Sequence, residues 1–184
     1  MEPEHIAKSV NCHADEAPPL EKWHPELTGD MDLTITRDGQ WMYQGHPIPR
    51  ESATRLFSRI LRREDDGEFY LVTPVEKWRI QVEDTPLLAH SPTLRGEGRD
   101  QVLSVTTNMG DTLDIGEAHP LDIGHYPQTG EPRPVVLVRE GIEARLPRSA
   151  FYHLVELAQE QNVDGEPWLG VFSQGKFWKI GKPG

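Results

Sequence analysis

At 184 residues, 36% hydrophobic and 27% charged, the chain is long enough for one large domain or two small ones, each with a buried core. Its 19 basic against 30 acidic side chains leave a net charge of −11, which argues against a general nucleic-acid coat and against an anionic membrane as partner. The single cysteine, Cys12, excludes an intramolecular disulfide and any multi-cysteine zinc or iron–sulfur centre.

Residues 1–27 read as an acidic flexible tail. Residues 1–30 hold seven acids and two bases, a local charge of −5, with few large apolar side chains and a Pro18-Pro19 break. Trp23 and Leu27 are the side chains best suited to dock on the adjoining domain, so the boundary is soft. The start, Met1-Glu2-Pro3-Glu4-His5, is acidic where a secretory signal is basic. No apolar run approaches the roughly 18 residues of a membrane span. The expected address is the cytoplasm.

From Leu33 the pattern changes. Leu33-Thr34-Ile35-Thr36 alternates like a half-buried strand, Asp38-Gly39 marks a hairpin turn, and Trp41-Met42-Tyr43 is the return strand. Ala53, Leu56, Phe57, Ile60 and Leu61 share one helical face, with Pro49 suited to the first turn and Asp66-Gly67 to the stop. Phe69–Val72 and Val75–Val82 come next as strands, the second with Trp78, Ile80 and Val82 on one side. Leu87–Leu94, Gln101–Thr107 and Thr112–Ile115 are short strands, turned at Gly96-Glu97-Gly98 and Asn108-Met109-Gly110-Asp111. The proline-rich stretch 125–134 reads as a connecting loop.

The end of the chain repeats its beginning. Val135–Val138, the Glu140-Gly141 turn and Ile142–Leu146 form a hairpin. Phe151, Leu154, Val155 and Ala158 mark a second helix. Trp168–Phe172 and Lys176–Ile180 form a last hairpin around Gly175. A shift of 98 residues pairs Pro49-Arg50 with Pro147-Arg148 and Leu56 with Leu154. It also pairs Asp66-Gly67-Glu68 with Asp164-Gly165-Glu166, and Tyr70-Leu71 with Trp168-Leu169. The expected fold is α+β: two small domains, 28–85 and 86–184, each with one helix packed on antiparallel β structure. Both carry a hairpin–helix–strand unit.

Few motifs carry chemistry. Gly170–Lys176 has phosphate-loop spacing, but Phe177 stands where the magnesium-binding hydroxyl belongs and no helix comes after it. Gly96-Glu97-Gly98 opens like a dinucleotide fingerprint, but Gln101 replaces the third glycine; both are read as turns. The eight histidines show no i, i+4 zincin pair, and the only Cys-His neighbours are Cys12-His13. No metal and no cofactor is expected. No serine sits in a glycine-flanked nucleophile elbow.

Two polar sets stand out. Arg55, Arg59, Arg62 and Arg63 fall at i, i+4, i+7 and i+8 on one face of the predicted helix, which Arg50 opens. Arginine forks match carboxylate and phosphate geometry, so this face is the candidate anion or partner site. A solvated face paired with Glu64, Asp65 and Asp66 is the bland and more frequent alternative. The other set gathers at turns of the middle segment: Asp84, Arg99, Asp100, Asn108 and Asp111, with Glu83 and Asp114 nearby. Its carboxylates suit acid–base work, although Asp and Asn favour turns for purely local reasons.

Several strings resemble the bacterial domain-of-unknown-function family 1285. They are Val72-Thr73-Pro74-Val75-Glu76-Lys77, Gly96-Glu97-Gly98-Arg99-Asp100-Gln101, Thr107-Asn108-Met109-Gly110-Asp111 and Gly130-Glu131-Pro132-Arg133-Pro134. Arg37-Asp38-Gly39-Gln40-Trp41 and the helix from Phe151 to Ala158 fit as well. The resemblance covers roughly residues 30–180. It implies an α+β fold with repeated motifs and a role in signal transduction, with no catalytic residues to carry over. The expected function is a non-enzymatic ligand-binding or protein-interaction module. Its partner would be a small anionic ligand or an acidic protein segment, not nucleic acid or membrane. The alternative is a small hydrolase-like enzyme working through the middle carboxylates.

Overall fold

The computed structural model describes residues 5–6 and 18–183, and the chain divides after Pro86 into two compact units. In the first, Met31, Leu33 and Ile35 alternate inward along β1 (Gly29–Ile35). The Asp38-Gly39 turn, with Gly39 at φ +85°, returns the chain as β2 (Trp41–Tyr43). A two-residue strand, β3 (His46–Pro47), leads to α1 (Glu51–Arg59). A three-stranded meander completes the unit: β4 (Leu61–Arg63), β5 (Phe69–Val72) and β6 (Lys77–Val82). The sheet order is β3-β2-β1-β6-β5-β4. Helix α1 buries Leu56 and Phe57, the Phe57 ring lying 6.2 Å from that of Trp41. Burial of each such side chain is worth about 1.5–3 kcal/mol.

Two expectations are corrected here. The sheet is mixed rather than antiparallel, because β1 and β6 run parallel. The first helix ends at Arg59, not at Asp66-Gly67. Ile60 leaves helical geometry at φ −100°, ψ 8°, while its N–H still bonds to Leu56 and Phe57 carbonyls. Leu61 pairs with Leu71 and Arg63 with Phe69, so residues 61–63 form a strand. Ile60 and Leu61 are buried here, and pairing with β5 outweighs the helical periodicity. Asp66-Gly67 is the β4–β5 hairpin turn, with Gly67 at φ +81°.

The second unit begins with β7 (Leu87–Arg95), β8 (Val102–Thr107) and β9 (Thr112–Asp114). Next come β10 (Leu121–His125), β11 (Pro132–Arg139), β12 (Ile142–Arg145) and α2 (Arg148–Leu157). It closes with β13 (Gln159–Val163), β14 (Glu166–Ser173) and β15 (Lys176–Gly181). The first six strands form a sheet in the order β10-β11-β12-β7-β8-β9, again mixed, with β12 and β7 parallel. The stretch expected as a loop at 125–134 is the tip of a β10–β11 hairpin, registered from Leu121↔Val136 to His125↔Pro132. Strand β13 has no counterpart among the expected elements, because Gln159-Glu160-Gln161-Asn162 has no apolar alternation, as suits a sheet edge.

The element order repeats: β1-β2-α1-β4-β5-β6 in the first unit, β11-β12-α2-β13-β14-β15 in the second. The pairing does not. Where β6 lies along β1, β10 lies along β11, and the second meander stands as a separate three-stranded sheet. Ser173 fastens it to the six-stranded sheet. Its buried hydroxyl donates to the Ile115 carbonyl (2.6 Å) and accepts from the Leu103 N–H (2.9 Å). Gln101 adds a side-chain bond to the Phe172 carbonyl (2.9 Å).

Gly170 is sterically required in β14. A Cβ there would stand 2.3 Å from the Trp178 carbonyl oxygen and 2.6 Å from Cζ of Phe177. Gly170→Ala should therefore cost about 1–3 kcal/mol in urea unfolding. At Gly181 a Cβ meets nothing within 4 Å, and Gly181→Ala should stay within about 0.5 kcal/mol of the parent.

Candidate anion-binding face

The predicted arginine face is divided between two elements. Arg50 occupies the cap position of α1, and Arg55 and Arg59 lie on the helix, half-buried. All three have interaction partners within the protein. Arg62 and Arg63 belong to β4, where successive side chains point to opposite faces. Arg63 lies over the Phe69 ring at 5.3 Å. Arg62 is a clamp. Its Nη1 donates to the carbonyls of Leu20 (3.2 Å) and Trp23 (2.8 Å), and its Nε and Nη2 donate to Glu64 Oε2 (3.1 and 2.7 Å). Leu20 and Trp23, placed by sequence in the tail, are thus tied to β4. Cys12, His13 and most of the acidic stretch before Pro18 lie outside the described residues.

Arg62 heads a cross-strand row on one sheet face: Arg62 opposite Tyr70, Tyr70 opposite Arg79, Arg79 opposite Asp30. Lys77, opposite Val72, places Nζ 4.7 Å from the Tyr70 ring centre and 2.9 Å from Glu64 Oε1. The Tyr70 hydroxyl donates to Asp66 Oδ2 at 2.5 Å, and Arg79 Nε donates to Asp30 Oδ1 at 2.5 Å. These bonds move the titrations. Donation from Arg79 holds the Asp30 carboxyl below its usual range. The Tyr70 hydroxyl and the Glu68 N–H do the same for Asp66, and Tyr70 itself is pushed up because Asp66 holds its proton. Burial works against the Glu64 carboxylate, but donation from Lys77 and Arg62 outweighs it and leaves Glu64 below its usual range. Lys77, Arg62 and Arg79 each have a carboxylate partner here. Tyr70 and Val72, on the same face, are buried.

The matching face in the second unit is different. On β14, Val171 and Ser173 point inward and are buried with Trp178 and Ile180 of β15. Trp168, Gly170 and Phe172 therefore point outward. Lys179 and Lys182 place Nζ 4.6 and 4.5 Å from the Trp168 ring centre. Arg99 lies 5.9 Å from the Phe172 centroid, and Phe172 meets Phe177 edge-on at 5.1 Å. Lys179, Lys182 and Arg99 are exposed, and the three rings are half-buried. Lys182 pairs with Glu166 and holds that carboxyl below its usual range. From residue 167 to the end the sequence has three lysines and one glutamine but no acid. That acid-free run is the signal by which the sequence could have pointed here; the aromatic residues between look like ordinary strand core.

The second predicted set does not converge. Arg99 and Asp100 precede β8, whereas Asn108 and Asp111 come after it. Six strand residues at ~3.3 Å each separate these ends by roughly 20 Å, against about 5–10 Å for a working carboxylate pair. Asn108 is a strand-end clasp: its Oδ1 accepts from the Leu88 N–H (3.1 Å) and its own N–H donates to the Leu88 carbonyl (2.9 Å). Asp111 closes the β8–β9 turn through Thr107, and Asp84 lies in the first unit. Asp114 is held below its usual range by donation from Arg95 and Ser104. Among the described residues, no group of three His, Cys, Asp or Glu is placed to hold a metal ion. No described helix is long and apolar enough to cross a membrane.

Two family models match the chain: the domain of unknown function DUF1285, N-terminal domain, over residues 18–85, and the protein of unknown function DUF1285, C-terminal domain, over residues 86–180. The chain belongs to the DUF1285 family. It is similar to the crystal structure of a DUF1285 protein from Silicibacter pomeroyi DSS-3, at 41% identity and a TM-score of 0.86. That match covers 98% of this chain and 95% of the other. A DUF1285 protein from Shewanella baltica OS155 is similar at 30% identity and a TM-score of 0.53, covering 68% of this chain and 91% of that one. No curated protein matches. The N-terminal DUF1285 match starts at residue 18, so it includes the Leu20–Trp23 stretch that Arg62 holds.

Arg62→Ala in this DUF1285 protein strips two carbonyls of a charged donor and leaves Glu64 with Lys77 alone. Urea unfolding should show a loss of about 2–3 kcal/mol. Limited proteolysis should open the chain near residues 20–28. Glu64 is depressed in the folded state, so its stabilisation is complete above the ordinary carboxylate range and fades as pH falls through its lowered value. Glu64→Gln should flatten the acid limb of the stability–pH curve below that range.

Proposed function

We propose that this DUF1285 protein is a non-enzymatic protein-interaction module in signal transduction. In this reading it takes an acidic segment of its partner on the outer face of the β13-β14-β15 sheet. The observation that carries the reading is the set of exposed cations, Lys179, Lys182 and Arg99, standing over Trp168 and Phe172 in a chain of charge −11.

A lysine over an exposed aromatic face gains about 0.5–1 kcal/mol and loses some of its freedom. An arriving carboxylate then meets the Lys179 ammonium already in position, beside the Lys182–Glu166 pair, with less side-chain entropy left to lose. The rings supply apolar contact beneath the charge. The acid-free end of the chain supplies a local attraction that the rest of the surface opposes, which favours one landing face over many. The anion-binding role expected of the α1 arginines passes in this reading to the C-terminal lysines and Arg99.

Calorimetric titration of the full chain with poly-glutamate tests this. Binding should weaken with added salt, because exposed charges are screened beyond about 8–10 Å at physiological ionic strength. The pair Lys179→Glu with Lys182→Glu should weaken it at least tenfold while circular dichroism stays unchanged. Equal binding by parent and double variant would overturn the assignment of the face.

A further inference from the structure

The outer face of the β13-β14-β15 sheet already holds a carboxylate of its own. Glu166 and Trp168 stand two residues apart on β14, so both side chains leave the sheet on one side, roughly 7 Å apart along the strand. Lys182 Nζ donates to Glu166 Oε2, and the same nitrogen lies 4.5 Å from the Trp168 ring centre. Lys179 Nζ lies 4.6 Å from that centre, and its charge joins that of Lys182 in holding the Glu166 carboxyl below its usual range. Two ammonium groups and one carboxylate therefore gather around a single ring.

The Lys182–Glu166 pair is open to exchange. The two side chains are 52% and 61% exposed, and ion pairs so exposed contribute little to folding. The Trp168 ring attracts the Lys182 ammonium whichever carboxylate that ammonium meets. The backbone at Glu166 is fixed, because Val163 pairs with it across the Asp164-Gly165 turn, whose residues take φ +52° and +83°. A carboxylate is thus anchored beside the ring while its bond to Lys182 faces solvent.

We infer that Glu166 is a built-in competitor for this face. It takes the ammonium group that a partner's carboxylate would otherwise bind, and so sets how tightly an acidic segment is held. This rests on the reading of the face as the contact surface, and adds the residue that regulates entry. With Glu166 on Lys182, an arriving acid has Lys179 to bind; with Glu166 displaced, it has both lysines. Glu166 also opposes the approach itself, since like charges within about 8–10 Å of one another are incompletely screened at physiological ionic strength.

The test is calorimetric titration of the full chain with poly-glutamate, comparing the parent with Glu166→Gln and Asp164→Asn. Both variants remove one negative charge from the same hairpin, but Glu166 is the residue bonded to Lys182. Glu166→Gln should bind at least fivefold more tightly than the parent, with a gain that shrinks as salt is added, while Asp164→Asn stays within twofold. If circular dichroism shows Glu166→Gln to be misfolded, Glu166→Thr, a residue suited to a strand, takes its place. Equal or weaker binding by the Glu166 variant would overturn the competitor role and leave the face standing. An equal gain in Asp164→Asn would overturn it too, because net charge alone would then decide. Binding by neither the parent nor the Glu166 variant would overturn both readings, and tighter binding of a single-stranded oligonucleotide would overturn the carboxylate as the ligand's group.

Discussion

A β-strand inside a sheet has two edges, and who occupies the second edge of the leading hairpin decides the rest of this molecule. In the first unit β6 takes that edge of β1, running parallel to it, and the meander joins the hairpin in one six-stranded sheet. In the second unit β10 takes the same edge of β11, running antiparallel. The meander after α2 then has no strand left to join. It stays a three-stranded sheet, and such a sheet needs packing against something else to be stable. Its inward side chains, Val171, Trp178 and Ile180, are buried, and the Ser173 hydroxyl and Gln101 amide supply the polar fastening.

The electrostatics derive from that topology. With β6 next to β1, Arg79 comes opposite Asp30 and finds a carboxylate across the parallel pair. Lys77 and Arg62 share Glu64, which lies just beyond the end of β4. In the second meander β15 has no β1-like neighbour to offer an acid, and Glu166 on β14 is the carboxylate paired with Lys182. The lysines rest on aromatic faces, an interaction that holds a cation in place without neutralising it. One repeat has settled its charge on carboxylates within the fold, and in the other Glu166 compensates Lys182 while Lys179 and Arg99 stand over aromatic rings.

The sequence announces the elements better than the neighbours. Strict alternation in Leu33-Thr34-Ile35, the Asp38-Gly39 turn and the 98-residue register are legible because they rest on local backbone chemistry and on side-chain period. The end of α1 is not. Ile60 and Leu61 continue the helical stripe and also suit a strand, and only the partner strand β5 decides between the two. That one ambiguity carries Arg62 and Arg63 onto the wrong element and produces an arginine face that the fold divides. Strand β13 is illegible for the opposite reason, since a polar edge strand has no inward face to pattern. The parallel pairs β1–β6 and β12–β7 join residues dozens of positions apart, and no local signal encodes them.

The candidate site is hidden by a similar conflict of signals. Trp168, Phe172 and Phe177 read as core because aromatic residues in strands usually are, and two of their neighbours, Val171 and Trp178, are indeed buried. What separates the two groups is strand parity, which assigns a face only when the register is known. Gly170 shows how the faces diverged. Its counterpart Val72 is buried in the first repeat, whereas at Gly170 the absent side chain leaves room for the Phe177 ring. A valine there would collide with Phe177 and with the Trp178 carbonyl, so the outward aromatic pair and the glycine require each other. The face that distinguishes the second repeat from the first is therefore built into the packing of β14 on β15.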